Sequence, residues 1–439
     1  MNRREALGLV AGGGVGVAAA MAGLRGPTPI QAAQQAVSRG LPPVKVTDVK
    51  VILTQMENST HYVIVKVLTS EPGLYGLGCA THAERPLVVA TAIEQYLKPM
   101  IIGANVDDIE DFWQMANVAP YWRGGVDGNN ALSGIDGALW DIMGKRAGLP
   151  VYAFLGGKVR KAIPLYATIE SVELNEVEDQ IRKAMSEGYR HVKIGLTSNV
   201  GATQSQGLAS GLDRPPLEPT QYVNATIKMF DHVRSKIGFD IELIHTVHER
   251  VTPSAALGFA RAVEPYRPFF MEDLLAVEDV AWFQHIRAES STSLAAGSML
   301  ANRNDWLPLV TNRWIDFIRL HVSAIGGFNM ARKVAACCEF FNVRTAWHAP
   351  GMASPVGHAV HLHLDFASFS FGIQEEHRFS EQVLEVFPGT PEIKGGMMHS
   401  NDRPGWGIDI DEKAAAKYPY TTPGFNRRFR LWDGSPMRP

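Results

Sequence analysis

From Ile163 onward one pattern recurs eight times: a short apolar run followed by a helix-length segment. The runs are "IPLYATI", "HVKIGL", "IELIHTV", "PFFMED", "SLAAGS", "DFIRLHV", "VRTAWHA" and "FSFGIQE". Between most of them lie amphipathic stretches such as "VEDQIRKAMSEGY" and "FNMARKVAACCEFF". Eight strand-then-helix units in this length are what an α/β protein needs to close a (β/α)8 barrel of the TIM type. An open doubly wound sheet is the alternative. No glycine-rich phosphate fingerprint follows an early strand, which weighs against it.

Ahead of the repeat, "VKVTDVKVILT" and "HYVIVKVLTS" alternate as antiparallel strands, and "RPLVVATAIEQYLKPMIIG" and "ALSGIDGALWDIMGKRAGLP" read as helices. The expected organisation is an export signal and linker over 1–40, an α+β capping domain over 44–158, the barrel over 160–390, and a tail over 391–439 that returns to the cap. With 46% hydrophobic residues and a formal net charge of -3, a large core is available. Nothing in that charge points to nucleic acid or an anionic membrane. Cys79, Cys337 and Cys338 show neither a disulfide framework nor zinc spacing and read as small buried residues.

The first residues differ from the rest. "MNRREALGLVAGGGVGVAAAMAGL" pairs Arg3 and Arg4 ahead of a Gly/Ala/Val run too glycine-rich for a convincing membrane span. It resembles a twin-arginine export signal, which implies a periplasmic or secreted protein with no stable membrane insertion once the signal is removed. An uncleaved N-terminal anchor is the alternative.

Barrel chemistry sits at the C-terminal ends of the strands. Those ends carry Lys193, Thr246 with His248, Glu272 with Asp273, Ser298, His321, His348 and Glu375. Polar residues at nearly every strand end favour a shared polar pocket over scattered surface charge. Each has a plainer reading: a surface lysine, hydroxyl caps at Thr246 and Ser298, a helix cap at Asp273, core histidines at His321 and His348. His245 should point away from the face of Thr246, because strand neighbours alternate. A long Gly/Ser/Pro-rich connection, "TSNVGATQSQGLASGLDRPPLEPT", follows the second strand on the same side and reads as a functional lid or a disordered segment.

The segments "GIDGALWDIMGKRAGLPVYAFLGG", "HTVHERVTP", "EPYRPFFMED", "RLHVSAIGG" and "FGIQEEHRFSE" resemble the enolase superfamily. Within it they are similar to the D-mannonate dehydratase group of the mandelate racemase/muconate lactonizing branch, over about Val44 to Asp433. The resemblance implies a sugar-acid substrate, a homo-oligomer, and Mg²⁺ held by three carboxylates on successive strands. That ion offsets the charge of an enediolate. Here Glu272 keeps the second ligand position, while Thr246 and Ser298 stand where the family has carboxylates. The resemblance further implies His248 as general acid, with His348 and Glu375 as retained site residues. Lys193 replaces a family arginine, and His321 stands at the sixth strand. From the cap, His61, Trp122 and Arg123 lie where relatives close over substrate. For Arg123 a bidentate carboxylate pair is the functional reading, and for Trp122 cap–barrel packing is the plainer one.

Two functional classes follow. One is a dehydratase-like carbon–oxygen lyase with an altered site, holding Mg²⁺, another divalent metal through Glu272 and histidines, or no metal. The other is a non-catalytic sugar-acid binding protein. Metal-free epimerisation by Lys193 and His348 ranks behind both, because a carbanion without a cation is several kcal/mol harder to reach.

Overall fold

In the computed structural model the described residues are 42–56, 60–82, 84–171, 173–196, 218–349, 351, 353–421 and 435. The proposed export signal and most of the long connection after the second barrel strand lie outside them. Among the described residues no helix is long and apolar enough to cross a membrane.

The fold is an N-terminal capping domain followed by a (β/α)8 barrel. In the cap, β1 (Val46–Met56), β2 (Thr60–Thr69) and β3 (Tyr75–Cys79) form an antiparallel meander. The helical run beginning with α1 (Pro86–Ala92) comes next, then α2 (Ile109–Val118) and the 22-residue α3 (Val126–Ala147). Most of the middle of α3 is buried, because it lies between the cap sheet and the barrel. Its approach to β3 depends on the two glycines of "YGLGC". A Cβ at Gly76 or Gly78 would sit 1.9 Å from the carbonyl oxygen of Ala138 or Gly134.

The barrel strands are β4 (Ile163–Ser171), β5 (His191–Leu196), β6 (Glu242–Thr246), β7 (Phe270–Glu272), β8 (Leu294–Ala296), β9 (Phe317–Ile318), β10 (Arg344–Thr345) and β11 (Gln374–Glu375). Neighbours pair in parallel from β4 to β10. A parallel bridge from Thr345 to Phe371 and the pairing of β11 with β4 close the ring. The outer helices include α4 (Leu174–Ser186), α5 (Pro219–Ile237), α6 (Pro253–Val263), α7 (Phe283–Glu289), α8 (Arg303–Thr311), α9 (Phe328–Phe341) and α10 (Pro355–Ala367). Seven of the eight strands fall within the apolar runs, and β4 continues two residues beyond its own, to Ser171. From β6 to β11 the regular ladders are shorter than the runs, and strand ends there turn out of extended geometry: Asp273 has φ 48° and Gly297 φ 132°.

One inward residue from seven of the eight strand segments forms a separate apolar layer: Tyr166, Ile244, Phe270, Ala295, Phe317, Ala346 and Ile373. Strand alternation then fixes what lies one step nearer the mouth, two residues along each chain. From Ile244 the step leads to Thr246, from Phe270 to Glu272, from Phe317 to Arg319, from Ala346 to His348 and from Ile373 to Glu375. The apolar layer is the floor of the site.

The cap is tied to the loop that follows β9. The indole of Trp113 donates to the Gly326 carbonyl (2.7 Å) and Asn129 donates to the Ala324 carbonyl (2.8 Å). The tail contacts both halves. Its hairpin, β12 (Glu392–Lys394) and β13 (Met397–His399), pairs antiparallel with the start of β4. Trp406 donates to the Gly137 carbonyl of α3 (2.9 Å), and Tyr75 of the cap donates to Asp409 (2.7 Å).

Candidate active site at the barrel mouth

The strand ends bring together a buried charge cluster. Arg319, just past β9, is fully buried, and so are Glu272 and Glu375. Its Nε donates to Glu272 Oε1, its Nη2 to Glu375 Oε2 (2.9 Å), and its Nη1 to the Ala346 carbonyl (3.1 Å). Lys193 Nζ donates to Glu375 Oε1 (3.0 Å), and the Ala349 N–H donates to Glu375 Oε2 (3.1 Å). Two carboxylates are thus held by two cations. Burial opposes charge on Glu375, but Lys193 and Arg319 hold its carboxyl well below the usual range. Burial likewise works against the Lys193 ammonium, and Glu375 and Glu272 overcome it, so that lysine titrates above its ordinary value.

Thr246 and Ser298 do not stand open. The Thr246 hydroxyl donates to Glu272 Oε2 (2.7 Å), so both oxygens of Glu272 have protein partners. Ser298 donates to Asp273 Oδ2. Asp273 is therefore not the helix cap that its position allowed. Burial first, and the charge of Glu272 second, push its carboxyl up to about 7. One carboxylate and two hydroxyls, each turned to a protein partner, do not match the three carboxylates that Mg²⁺ takes in the family resemblance. Among the described residues no group of three or more His, Cys, Asp or Glu side chains is arranged to hold a metal ion.

The histidines sort into separate roles. His245 points outward as alternation requires, with Nδ1 2.7 Å from the Ile194 carbonyl and Nε2 2.6 Å from the Tyr222 hydroxyl. His248 follows β6 in a left-handed conformation (φ 52°), as does Glu249 (φ 58°). Such backbone costs on the order of 1–3 kcal/mol per residue and persists where surroundings impose it. Here the Val247 and Glu249 N–H groups donate to the carbonyls of Glu272 and Asp273. Burial, then Arg250 and Lys193, keeps His248 neutral, well below its ordinary value. Burial does the same to His348 against the pull of Glu375. His348 Nδ1 is buried with no hydrogen-bond partner among the described residues. His321 packs edge-on to the His348 ring (centroids 5.7 Å), its Nδ1 3.1 Å from the His348 carbonyl, and burial lowers it to about 4.

The cap residues behave differently from the sequence expectation. Trp122 is 87% exposed and meets Tyr121 edge-on, so it does not pack between cap and barrel. The reason is local: residues 119–125 form an exposed turn between α2 and α3. Arg123 donates to the Val118 carbonyl (2.9 Å) and lines a groove of about 660 Å³ against α8 and α9, on the outer helices rather than at the strand ends. His61 is buried in β2 and meets Tyr420 of the tail edge-on.

Arg319 is the site residue that the sequence reading passed over. The signal was present. In "DFIRLHV" it alternates with Ile318 and Leu320, on the face of Phe317 and His321, and an arginine on the inner face of a barrel strand needs buried anions.

Residues 35–156 match the mandelate racemase/muconate lactonizing enzyme N-terminal domain, and residues 176–414 match the enolase C-terminal domain-like family. A D-galactonate dehydratase family member of Salmonella enteritidis is 46% identical over 394 residues, covering 86% of this chain and 94% of its own. One from Enterococcus gallinarum is 42% identical over 399 residues, covering 90% and 98%. Among solved structures, an enolase from Pantoea ananatis with bound D-gluconate and Mg superposes with a TM-score of 0.87 at 44% identity, covering 90% of this chain and all of that one. The chain belongs to the enolase superfamily, with the two-domain organisation of its mandelate racemase/muconate lactonizing branch and relatives in the D-galactonate dehydratase family.

Proposed function

We propose that the barrel mouth binds a sugar acid in the manner of the dehydratase relatives, without a resident Mg²⁺, and that Mg²⁺-dependent dehydration is not its activity. The observation behind this is the charge balance at the strand ends: Glu272 and Glu375 against Arg319 and Lys193. Thr246 and Ser298 remove the two further negative charges that a divalent ion would offset. The similarity to a D-gluconate-bound structure and to D-galactonate dehydratase family members supports a sugar acid as ligand. D-Mannonate is the particular acid implied by the sequence motifs. Titration calorimetry of D-gluconate, D-galactonate and D-mannonate is expected to give saturable binding of at least one, with affinities in EDTA and in millimolar Mg²⁺ within about twofold, below 0.5 kcal/mol. Binding that weakens tenfold or more in EDTA would sink the metal-free reading.

A lyase reading has one observation in its favour. His348 is a neutral imidazole with a buried nitrogen that has no partner among the described residues, able to take a proton from a bound substrate. Lys193, held as a cation by Glu375, is unsuited to the base role that epimerisation would need. Product formation from any of the three acids in EDTA, lost in His348→Asn, would favour catalysis over binding alone.

We also propose export through the first 40 residues, and a homo-oligomer, whose mass light scattering would give. A fusion of residues 1–40 to a reporter is expected to reach the periplasm by the twin-arginine route alone, and changing Arg3 and Arg4 to lysine should block it. Undiminished export of that variant would remove the localisation.

A further inference from the structure

We infer that Arg250 is the carboxylate receptor of this mouth: a sugar acid lies along the β5 rim with its anionic end on the Arg250 guanidinium and its hydroxyl groups toward Glu170. This assignment rests on the metal-free sugar-acid reading of the mouth and adds which way round the ligand binds.

The turn after β6 aims the side chain. His248 and Glu249 are consecutive left-handed residues, φ 52° and 58°, and neither is glycine. The turn is held from the neighbouring strand. The Val247 N–H donates to the Glu272 carbonyl (2.8 Å) and the Glu249 N–H to the Asp273 carbonyl (3.0 Å), while Glu249 Oε1 accepts the Val277 N–H (3.1 Å). Strained backbone kept in place by its surroundings clusters where ligands are clamped. Arg250 comes back across β5. Its Cζ lies 5.7 Å from the ring centroid of Tyr222, at the start of α5, and the carboxylate whose charge it meets is Glu170, at the rim end of β4. The side chain is half-buried, and its Nε is buried with no hydrogen-bond partner among the described residues.

The other two cations of the mouth are already committed, Lys193 to Glu375 and Arg319 to Glu272 and Glu375. Neither Arg250 nor Glu170 makes an ion pair among the described residues. Gly195, the register partner of Glu170, leaves the rim beside it open, since a Cβ there would come within 3.6 Å of Glu170 Cγ. Burial aside, the charges that act on His248 are those of Arg250, Lys193 and two histidines, with no carboxylate among them. The β5–β6 side of the mouth is therefore positive, while the side of Glu272 and Glu375 is balanced. An anion is favoured on the positive side, and a guanidinium offers donors in a fork that matches a carboxylate. The oxygens of Glu170 can accept from the hydroxyl groups that follow the carboxylate along an open-chain sugar acid.

The test uses full-length protein in EDTA and three acid–alditol pairs: D-gluconate with D-glucitol, D-galactonate with galactitol, and D-mannonate with D-mannitol. Each alditol carries a hydroxymethyl group where its acid carries the carboxylate. By calorimetry the parent is expected to bind at least one acid about tenfold or more tightly than its alditol, the size of one charge-assisted hydrogen bond. Arg250→Met should weaken that acid about tenfold or more and bring the pair within about threefold of each other. Glu170→Gln should weaken both members of the pair and keep the preference, and unchanged binding in this variant would overturn the part given to Glu170. A folded Arg250→Met with the parent's affinity for the acid would overturn the assignment and leave the sugar-acid reading standing. A parent that binds none of the three acids would overturn that reading and the assignment together. If Arg250→Met does not fold, phenylglyoxal labelling of the parent decides. Slower modification of Arg250 in the acid than in its alditol supports the assignment, and equal rates overturn it.

Discussion

Replacing Thr246 by aspartate together with Ser298 by glutamate is expected to create a Mg²⁺ site at the barrel mouth. The parent cluster sums to zero, since Glu272 and Glu375 offset Arg319 and Lys193. The double substitution adds two negative charges, the amount a divalent ion neutralises. Position 246 is already in contact with Glu272, the Thr246 hydroxyl lying 2.7 Å from its Oε2. An aspartate there sets two carboxylates side by side, which is unfavourable until a hard cation sits between them. Position 298 borders Asp273 through the serine hydroxyl, so glutamate must reach past that carboxyl toward the same point. Calorimetry should show Mg²⁺ affinity at least about a hundredfold above the parent, equivalent to about 2.7 kcal/mol. The variant should melt lower than the parent in EDTA and recover in Mg²⁺. Turnover need not return, because charge is restored without restoring the remaining departure from the family pattern at Lys193. A folded double variant with no gain in affinity would mean that Thr246, Glu272 and Ser298 do not converge on one point.

The barrel was legible in the chain because its signal is repetitive. Eight apolar runs alternating with helix-length segments, nearly all with a polar residue at or near the end, leave few other arrangements, and a one-residue misreading of such a strand would have turned its polar end away from the mouth. Lys193, Thr246, Glu272, His321, His348 and Glu375 could therefore be placed at strand ends from alternation and order. What these residues touch was not legible. Whether Thr246 is an empty ligand position or a donor to Glu272 depends on side-chain contacts across strands 26 residues apart in sequence. Arg319 was missed because attention to His321 treated the strand's last polar residue as the functional one, although both lie on the same face. Trp122, for which packing between cap and barrel was the plainer reading, stands exposed for another reason. It sits in a turn, where no periodicity relates sequence position to direction, and family analogy had nothing local to correct it.

Asp136 gives the clearest pH-dependent expectation, and it lies away from the mouth. This aspartate on α3 is completely buried and accepts the Asn329 N–H (2.9 Å) in the first turn of α9. It therefore caps a barrel helix from the capping domain. That geometry, and nearby Arg332, favour a negative charge. Burial outweighs them and raises the carboxyl from 3.8 to about 7. Its Oδ1 has no hydrogen-bond partner among the described residues, so no donor compensates the desolvation of that oxygen. The folded chain then holds this proton over a range where the unfolded chain has released it. The contribution to stability is full below the unfolded value and is lost as pH rises through about 7. Between pH 5 and pH 8 the loss is roughly 2–3 kcal/mol. Asp136→Asn keeps a carbonyl oxygen for the Asn329 N–H and removes the titration. Relative to the parent, the variant should gain roughly that amount between pH 5 and pH 8, whichever protein is the more stable at pH 5. Taking the difference cancels the buried histidines, which weaken both proteins on the acid side. Denaturant unfolding of parent and variant across this range is the measurement. A difference that stays flat from pH 5 to pH 8 would show that Asp136 is ionised throughout, and that its helix-capping bonds outweigh its burial.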